Sequence, residues 1–293
     1  MTESLLDTAR AIEFVESRGD PAEQARLRAL LSGTTPPESV AQAVLAGQRD
    51  DGGWAPFWAP TYSGLDATCF RLTLAEQLGI GVDDSAAPAT DPQRSVARAL
   101  AFIARRQRPD GTWEEAPPDD AIASVPPWLT AGEPAAILYL TANCGYWLAV
   151  LGGAAYADPA AAAADALERD LAEDGRLPGF PHTHWLAAGL FHRMRRPLAA
   201  DRVLARLRLA LSADASASGL AWLLTTLAAA GVPAHHPTVR GAVQRLGRLQ
   251  HPDGRWPSDD GPARDVHATL EALRALRWFG RARARAELAF VPD

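Results

Sequence analysis

Residues with acid, thiol or imidazole chemistry lie at the starts of several apolar segments of this chain. They are Asp66 and Cys69, Asn143 and Cys144, His182 and His184, and Asp265 and His267. The aromatic residues near these segments are Trp58, Tyr62, Tyr146, Trp147, Trp185 and Trp222. A buried carboxyl group can stay protonated at neutral pH, and such an acid can protonate an alkene. The carbocation that forms needs aromatic faces nearby and little water.

A second acidic group lies in the run Glu114, Glu115, Asp119 and Asp120, within the segment EEAPPDD. We expect this run to form a solvated loop. A proton source or a Mg²⁺ site is the alternative interpretation, because oxygen ligands suit that ion.

Composition and charge exclude several classes of protein. The chain has 293 residues, 47% of them hydrophobic, which is ample for a large core and argues against disorder. Its 29 Lys and Arg residues against 35 Asp and Glu residues give a net charge of −6. A dedicated nucleic-acid partner is not expected, since such proteins usually present a basic face.

The two cysteines are too few for a disulfide framework, and the amino terminus has no basic region followed by an apolar core. We therefore expect a cytoplasmic protein. Residues 135–157 are uncharged and long enough to span a bilayer, but polar residues and glycines interrupt them. A buried helix is predicted here rather than a transmembrane segment, and peripheral membrane contact stays open.

A short pattern recurs along the chain with the spacing Gln, three residues, Gly, one residue, Trp. Its full copies are Gln48, Gly52 and Trp54; Gln107, Gly111 and Trp113; and Gln250, Gly254 and Trp256. In a degenerate copy Leu171, Gly175 and Leu177 hold the same offsets. Each copy is predicted to be a clasp, in which the glycine ends a helix with positive φ and the tryptophan folds back onto the helix end.

Between the clasps the periodicity predicts about twelve helices and no substantial sheet. The apolar segments are 66–78, 135–151, 184–194, 218–230 and 265–278. The amphipathic ones are 8–17, 21–31, 36–48, 92–106, 159–171, 197–211 and 237–250. Apolar helices suit an inner layer and amphipathic helices an outer one, so the fold class is all-α.

The clasps resemble those of the squalene cyclase and protein prenyltransferase superfamily, most completely from Arg98 to Trp113. The resemblance implies an α/α toroid, a double ring of helices around an apolar cavity. It implies one domain over residues 1–293, with amino-terminal helices at 1–35, repeats over 36–280 and a tail helix at 281–293.

In such a toroid the starts of the inner helices would face the cavity. The resemblance therefore implies Asp66 and Asp265 as catalytic acids. It implies substrate contacts from Trp58, Tyr62, Cys69, Asn143, Cys144, Tyr146, Trp147, His184, Trp185, Trp222 and His267. Class II terpene cyclases carry Asp-x-Asp-Asp as the proton donor, whereas Gly64 and Leu65 precede Asp66 here. A plain helix N-cap is the alternative role for Asp66 and for Asp265.

The zinc set of the prenyltransferases is also incomplete. Ala142 stands where an Asp would pair with Cys144, and His267 lies one residue before the expected His position, which Ala268 holds. No metal site is therefore predicted, and no cofactor is expected unless a diphosphate substrate brings Mg²⁺. The favoured function is proton-initiated cyclisation of a linear isoprenoid. The alternative is a non-catalytic binder of an isoprenoid or other hydrophobic ligand, or an interaction module, and zinc-dependent prenyl transfer is less favoured.

Overall fold

The computed structural model describes residues 7–33, 36–81, 90–211 and 215–289 of the chain, with side chains up to residue 280. The ends of the predicted amino-terminal segment 1–35 and the last four residues of the predicted tail lie outside these ranges. Within them the backbone forms twelve α-helices, short 3₁₀ turns and no strand, which confirms the all-α prediction.

The helices are α1 (Thr8–Arg18), α2 (Pro21–Ser32), α3 (Glu38–Val44), α4 (Leu65–Gln77), α5 (Asp91–Arg105), α6 (Pro134–Leu151), α7 (Ala157–Asp170), α8 (Pro181–Arg193), α9 (Pro197–Ala210), α10 (Ala217–Ala229), α11 (Pro237–Arg248) and α12 (Asp265–Ala289). Most begin and end within three residues of the predicted bounds. Two differ more, because α3 ends at Val44, four residues before Gln48, and α12 continues eleven residues past Trp278.

The described residues divide into two compact units. One, unit A, contains residues 35–203, and the other, unit B, contains residues 1–34 and 204–293. The boundary falls inside α9, so this helix begins in unit A and ends in unit B.

Helix α6 is the centre of unit A. Its neighbours are α4, α5, α7 and α8, and 67% of its residues are buried. Gly145 allows the closest approach, since a Cβ there would lie 2.5 Å from the Cβ of Ala163 on α7. Among the described helices, α6 is long and apolar enough to cross a bilayer, but core helices of other proteins pass the same test. Its burial agrees with the buried helix predicted for this segment.

In unit B the central helix is α12, which packs against α1, α2, α10 and α11. The amino-terminal end of the unit is fixed to the last clasp by main-chain bonds. The amide of Asp7 donates to Gln250 Oε1 at 2.9 Å, and Gln250 Nε2 donates to the Asp7 carbonyl at 2.9 Å.

The three full clasps share one geometry. Each glutamine Nε2 donates to the carbonyl of its clasp glycine and to a carbonyl on or just before another helix, as Gln107 does to Gly111 at 3.1 Å and to Pro159 at 2.9 Å. Each tryptophan indole N–H donates to a carbonyl at the end of the preceding helix, and Trp113 reaches Ile103 at 2.8 Å. These bonds satisfy polar groups that a helix end leaves open. For Trp54 the acceptors are the carbonyls of Leu45 and Ala46, the two residues that follow the end of α3 at Val44.

A threonine completes each full clasp by accepting the main-chain N–H of the tryptophan. Thr68, Thr141 and Thr269 do so at 3.2, 3.2 and 3.0 Å. In the degenerate copy His184 takes this place, and its Nε2 accepts the amide of Leu177 at 3.0 Å.

Candidate functional site

Asp66 lies in the first turn of α4, directly opposite α6 in unit A. The phenol of Tyr139 donates to Asp66 Oδ1 at 2.7 Å, and Asn143 Nδ2 donates to the Tyr139 oxygen at 3.3 Å. Tyr139 and Asn143 are four residues apart on α6, so one helix face presents both. Gly64, not Asp66, is the N-cap of α4. The structure therefore gives Asp66 a tyrosine partner on another helix instead of the capping role.

Burial raises the pKa of Asp66, and the hydrogen bond from Tyr139 offsets part of that rise by stabilising the carboxylate. The pKa of Tyr139 is raised well above its usual value, first by burial and then by the Asp66 charge. Asp66 nevertheless keeps part of its surface accessible. The Asp66 carboxyl group is therefore desolvated, although part of the residue remains accessible.

Glu115 is a second acid at the same end of α4. It is 2% exposed, and its Oε1 and Oε2 accept the Leu65 amide at 3.2 and 2.9 Å. A Cβ on Gly64 would lie 2.6 Å from Oε1, so a larger residue there would displace the Glu115 carboxyl group. Burial, and next the charge of Asp66, raise the pKa of Glu115 to about 7, although the Leu65 amide opposes the shift.

Tyr62 and Trp58 extend this group toward the surface. The indole of Trp58 donates to the Tyr62 oxygen at 3.2 Å, and Tyr62 is hydrogen-bonded to Glu115. Burial raises the pKa of Tyr62. Tyr62 packs with Ala59 and Ala121, so the loops after the first two clasps meet here. Phe57, next to Trp58, is 89% exposed.

Cys69 and Cys144 face each other one turn beyond Asp66 and Tyr139. Their Sγ atoms are 3.9 Å apart, and both side chains are buried. Burial, together with the neighbouring thiol, raises the pKa of Cys69 well above its usual value. The two thiols therefore form a buried, polarisable contact beside Asp66.

The other predicted contacts of unit A are dispersed. Tyr146 and Trp147 are buried, with ring centroids 4.9 Å apart in an edge-to-face pair. Trp185 is partly exposed and packs edge-on against His182 at 4.5 Å. Both ring nitrogens of His184 have main-chain partners, Leu177 on Nε2 and the Phe180 carbonyl on Nδ1 at 3.2 Å.

In unit B, Asp265 is the first residue of α12, and both of its carboxylate oxygens have partners. Oδ1 accepts the Ser258 amide at 2.9 Å, and Oδ2 is 3.1 Å from Arg255 Nε. The side chain is 10% exposed. Asp265 is thus placed in an ion pair, unlike Asp66.

His267 and Trp222 also lie in unit B. Nδ1 of His267 is 3.5 Å from Arg26 Nη1, and burial lowers the pKa of this imidazole. The same guanidinium lies 3.7 Å from Glu271, which accepts the Thr225 hydroxyl at 2.9 Å. Trp222 is partly exposed on α10.

Of the predicted site residues, the structure brings Asp66, Cys69, Asn143 and Cys144 together on two facing helices. Tyr62 joins them through Glu115. The prediction that Glu115 belongs to a solvated loop is wrong, whereas Asp119 and Asp120 are exposed. The clasp turn carries Glu115 inward, two residues after Trp113, to the start of α4. The sequence does not mark Tyr139 as a site residue, because a tyrosine in an apolar segment usually indicates packing.

Among the described side chains, no three or more His, Cys, Asp and Glu residues are grouped closely enough to hold a metal ion.

Comparison with known proteins finds similarity in structure. The fold is similar to that of the ligand-free type II terpene cyclase MstE from Scytonema, with a TM-score of 0.60, 16% identity, and coverage of 94% of this chain and 98% of that one. A variant of MstE bound to its substrate, geranylgeranyl dihydroxybenzoate, gives 0.55 at 15% identity, with 94% and 87% covered.

A protein from Actinoplanes gives a TM-score of 0.56 at 21% identity, with 93% of this chain and 98% of that chain covered. No protein-family model matches the chain, and no curated protein does. The chain therefore has a terpene cyclase-like fold, established by structure at low sequence identity.

Proposed function

We propose that the protein is a type II-like terpene cyclase that protonates a linear isoprenoid with Asp66. The observation that carries the proposal is the Asp66–Tyr139 pair, in which a buried but partly accessible acid receives a 2.7 Å hydrogen bond on Oδ1 from the phenol. The fold likeness supports the class of enzyme. The Gln–Gly–Trp clasps support distant membership of the squalene cyclase superfamily.

The proposed step needs a carboxyl group that is protonated before reaction and whose carboxylate is stabilised after proton transfer. Burial raises the pKa of Asp66 and so favours the neutral acid, which holds the proton before reaction. That proton is transferred to a terminal alkene carbon, whose π electrons form the new C–H bond. The adjacent carbon becomes a cation, and the next double bond attacks it to close a ring and form a new cation. Loss of a proton from the final cation to water gives a cyclic isomer of the substrate, and solvent returns a proton to Asp66.

Tyr139 then stabilises the Asp66 carboxylate through its 2.7 Å hydrogen bond, and Asn143 orients the phenol. A preorganised donor aimed at developing charge lowers the barrier without reorganisation. Asp66 thus acts together with two residues of helix α6. In the class II motif, further acids accompany the proton donor instead.

Asp265 is the weaker candidate for the proton donor. Its ion pair with Arg255 and its bond to the Ser258 amide occupy both oxygens. Neither oxygen of Asp265 is directed at a partner that resembles the Tyr139 phenol beside Asp66.

The substrate class follows from the chemistry of the site and from the similar enzyme. MstE binds geranylgeranyl dihydroxybenzoate, a linear isoprenoid attached to an aromatic acid. We infer a small hydrophobic ligand of this class here, contacted by the thiols and aromatic rings around Asp66.

The test is incubation of the purified protein with linear prenyl diphosphates, squalene and geranylgeranyl dihydroxybenzoate, followed by mass spectrometry of the products. A cyclic isomer of any of them supports the proposal. Unchanged substrates across the series contradict it.

The acid is assigned with the variant Asp66→Asn, which removes the transferable proton and keeps the size. We expect turnover to fall by about 10²- to 10⁴-fold, the usual contribution of a general acid. Asp158→Asn is the matched control, because Asp158 also lies in a first helical turn, that of α7, but is exposed. Equal rates for wild type and Asp66→Asn would reassign the acid, and Asp265→Asn would then be the next variant to test.

A second candidate function is that of a non-catalytic binder of a hydrophobic ligand. It is favoured by Gly64 and Leu65, which stand where the class II motif has acids. Saturable binding of the isoprenoids without any product would select this function.

A further inference from the structure

We propose that Glu115 is the positioning residue of the Asp66 acid: it fixes the first turn of α4, and its own charge decides whether Asp66 can release its proton. The inference rests on the proposed function for its kinetic consequence. Its electrostatic part can be measured without any substrate.

The first role of Glu115 is to hold the start of α4 in place by hydrogen bonding. Both oxygens of Glu115 accept the Leu65 amide, and Leu65 directly precedes Asp66 in the first turn of α4. This helix start has no side-chain cap of its own, so Glu115 satisfies an N–H group that would otherwise be buried and open. Gly64 keeps the space that the carboxyl group needs. The position of the Asp66 backbone therefore depends on a residue that is fifty positions from Leu65 in the sequence.

The second role of Glu115 is electrostatic, because its charge interacts with that of Asp66. Glu115 is surrounded by Asp66 and Cys69 from α4, by Arg106 just after α5, and by Tyr62 from the loop before α4. Of these, Asp66 makes ionisation of Glu115 harder, whereas Arg106 and Tyr62 make it easier. Two acids this close do not readily carry negative charge together.

The consequence concerns the moment of proton transfer, when Asp66 becomes a carboxylate. If Glu115 is neutral, one new negative charge forms beside Tyr139. If Glu115 is already ionised, a second negative charge must form next to the first, and Asp66 holds its proton more strongly. Turnover should therefore need Glu115 in its protonated form.

The pH profile tests this directly. Because the pKa of Glu115 is about 7, the rate should fall about tenfold or more above pH 7, since one pKa unit in acid strength is a factor of ten. In Glu115→Gln, which keeps an oxygen for the Leu65 amide, the fall near pH 7 should disappear. Asp119→Asn, on an exposed residue of the same loop, should keep the wild-type profile.

A structural role alone predicts a different result. In that case Glu115→Gln would lower the rate equally at every pH and leave the midpoint at pH 7 unchanged, and the proposal would be overturned. Tyr62→Phe provides a variant that retains the acid. Loss of its hydrogen bond should raise the pKa of Glu115 and move the fall to higher pH.

Infrared titration of the protonated carboxyl groups tests the coupling even if no isoprenoid is turned over. We expect Asp66→Asn to lower the midpoint of Glu115, and Glu115→Gln to lower the midpoint of Asp66 by the same amount, because coupling is reciprocal. Midpoints that stay unchanged in both variants would refute the proposal. Coupled midpoints without any product would refute the cyclase function and leave the link between the two acids standing.

Discussion

At the residue scale, the buried acid Glu115 should make stability depend on pH. Its folded pKa of about 7 lies above the usual glutamate value of 4.5, so its contribution to stability is complete below pH 4.5 and is lost as pH rises through 7. The gap corresponds to about 3 kcal/mol. Relative to wild type, Glu115→Gln should therefore gain about 3 kcal/mol of unfolding free energy between pH 4 and pH 9, measured by urea denaturation. A constant difference across this range, as expected for Asp119→Asn, would contradict the burial of the charge.

Sequence reasoning succeeded and failed at particular residues for physical reasons. Asp66, Cys69, Asn143 and Cys144 could be selected because polar residues and thiols stand out within apolar helices. Glu115 could not be selected from the sequence, because its neighbours are the polar and proline residues typical of a surface loop. Its burial depends on the clasp turn and on the space beside Gly64, which only the structure shows. The sequence also does not identify Tyr139 as the partner of Asp66, because this pairing depends on how α4 and α6 face each other.

At the scale of the element, His184 shows that a helix start can be completed by different chemistry. Its ring accepts the buried Leu177 amide, a place that threonine holds in the full clasps. His184→Ala should leave that amide unpaired and lower the free energy of unfolding by about 1–3 kcal/mol. His235→Ala, on an exposed residue, should change it by less than about 0.5 kcal/mol. Equal stability of the two variants would mean that water replaces the ring.

A complete clasp spacing predicts the end of the preceding helix at Gln107 but not at Gln48. The pattern at Gln107 placed the end of α5 within one residue. At Gln48 it did not, because the Trp54 indole takes the Leu45 and Ala46 carbonyls and the helix stops at Val44. Periodicity cannot show which carbonyl a side chain will occupy.

At the scale of the whole molecule, the two units should respond separately to loss of their clasps. Gln250→Ala removes the bonds to Asp7 in unit B, and Gln107→Ala removes the bond to Pro159 in unit A. We expect faster amide hydrogen exchange in α1 for the first variant and in α7 for the second, since local opening follows the lost bonds. Faster exchange in both helices for either variant would show that the units open as one.

The bond between Asp7 and Gln250 also constrains how the protein is made. The two residues are separated by 243 positions, yet each main-chain group of Asp7 is held by the Gln250 side chain. A ribosome adds about 5–20 residues per second. Helix α1 is therefore synthesised roughly 10–50 s before Gln250. During this interval chaperones can bind its apolar face.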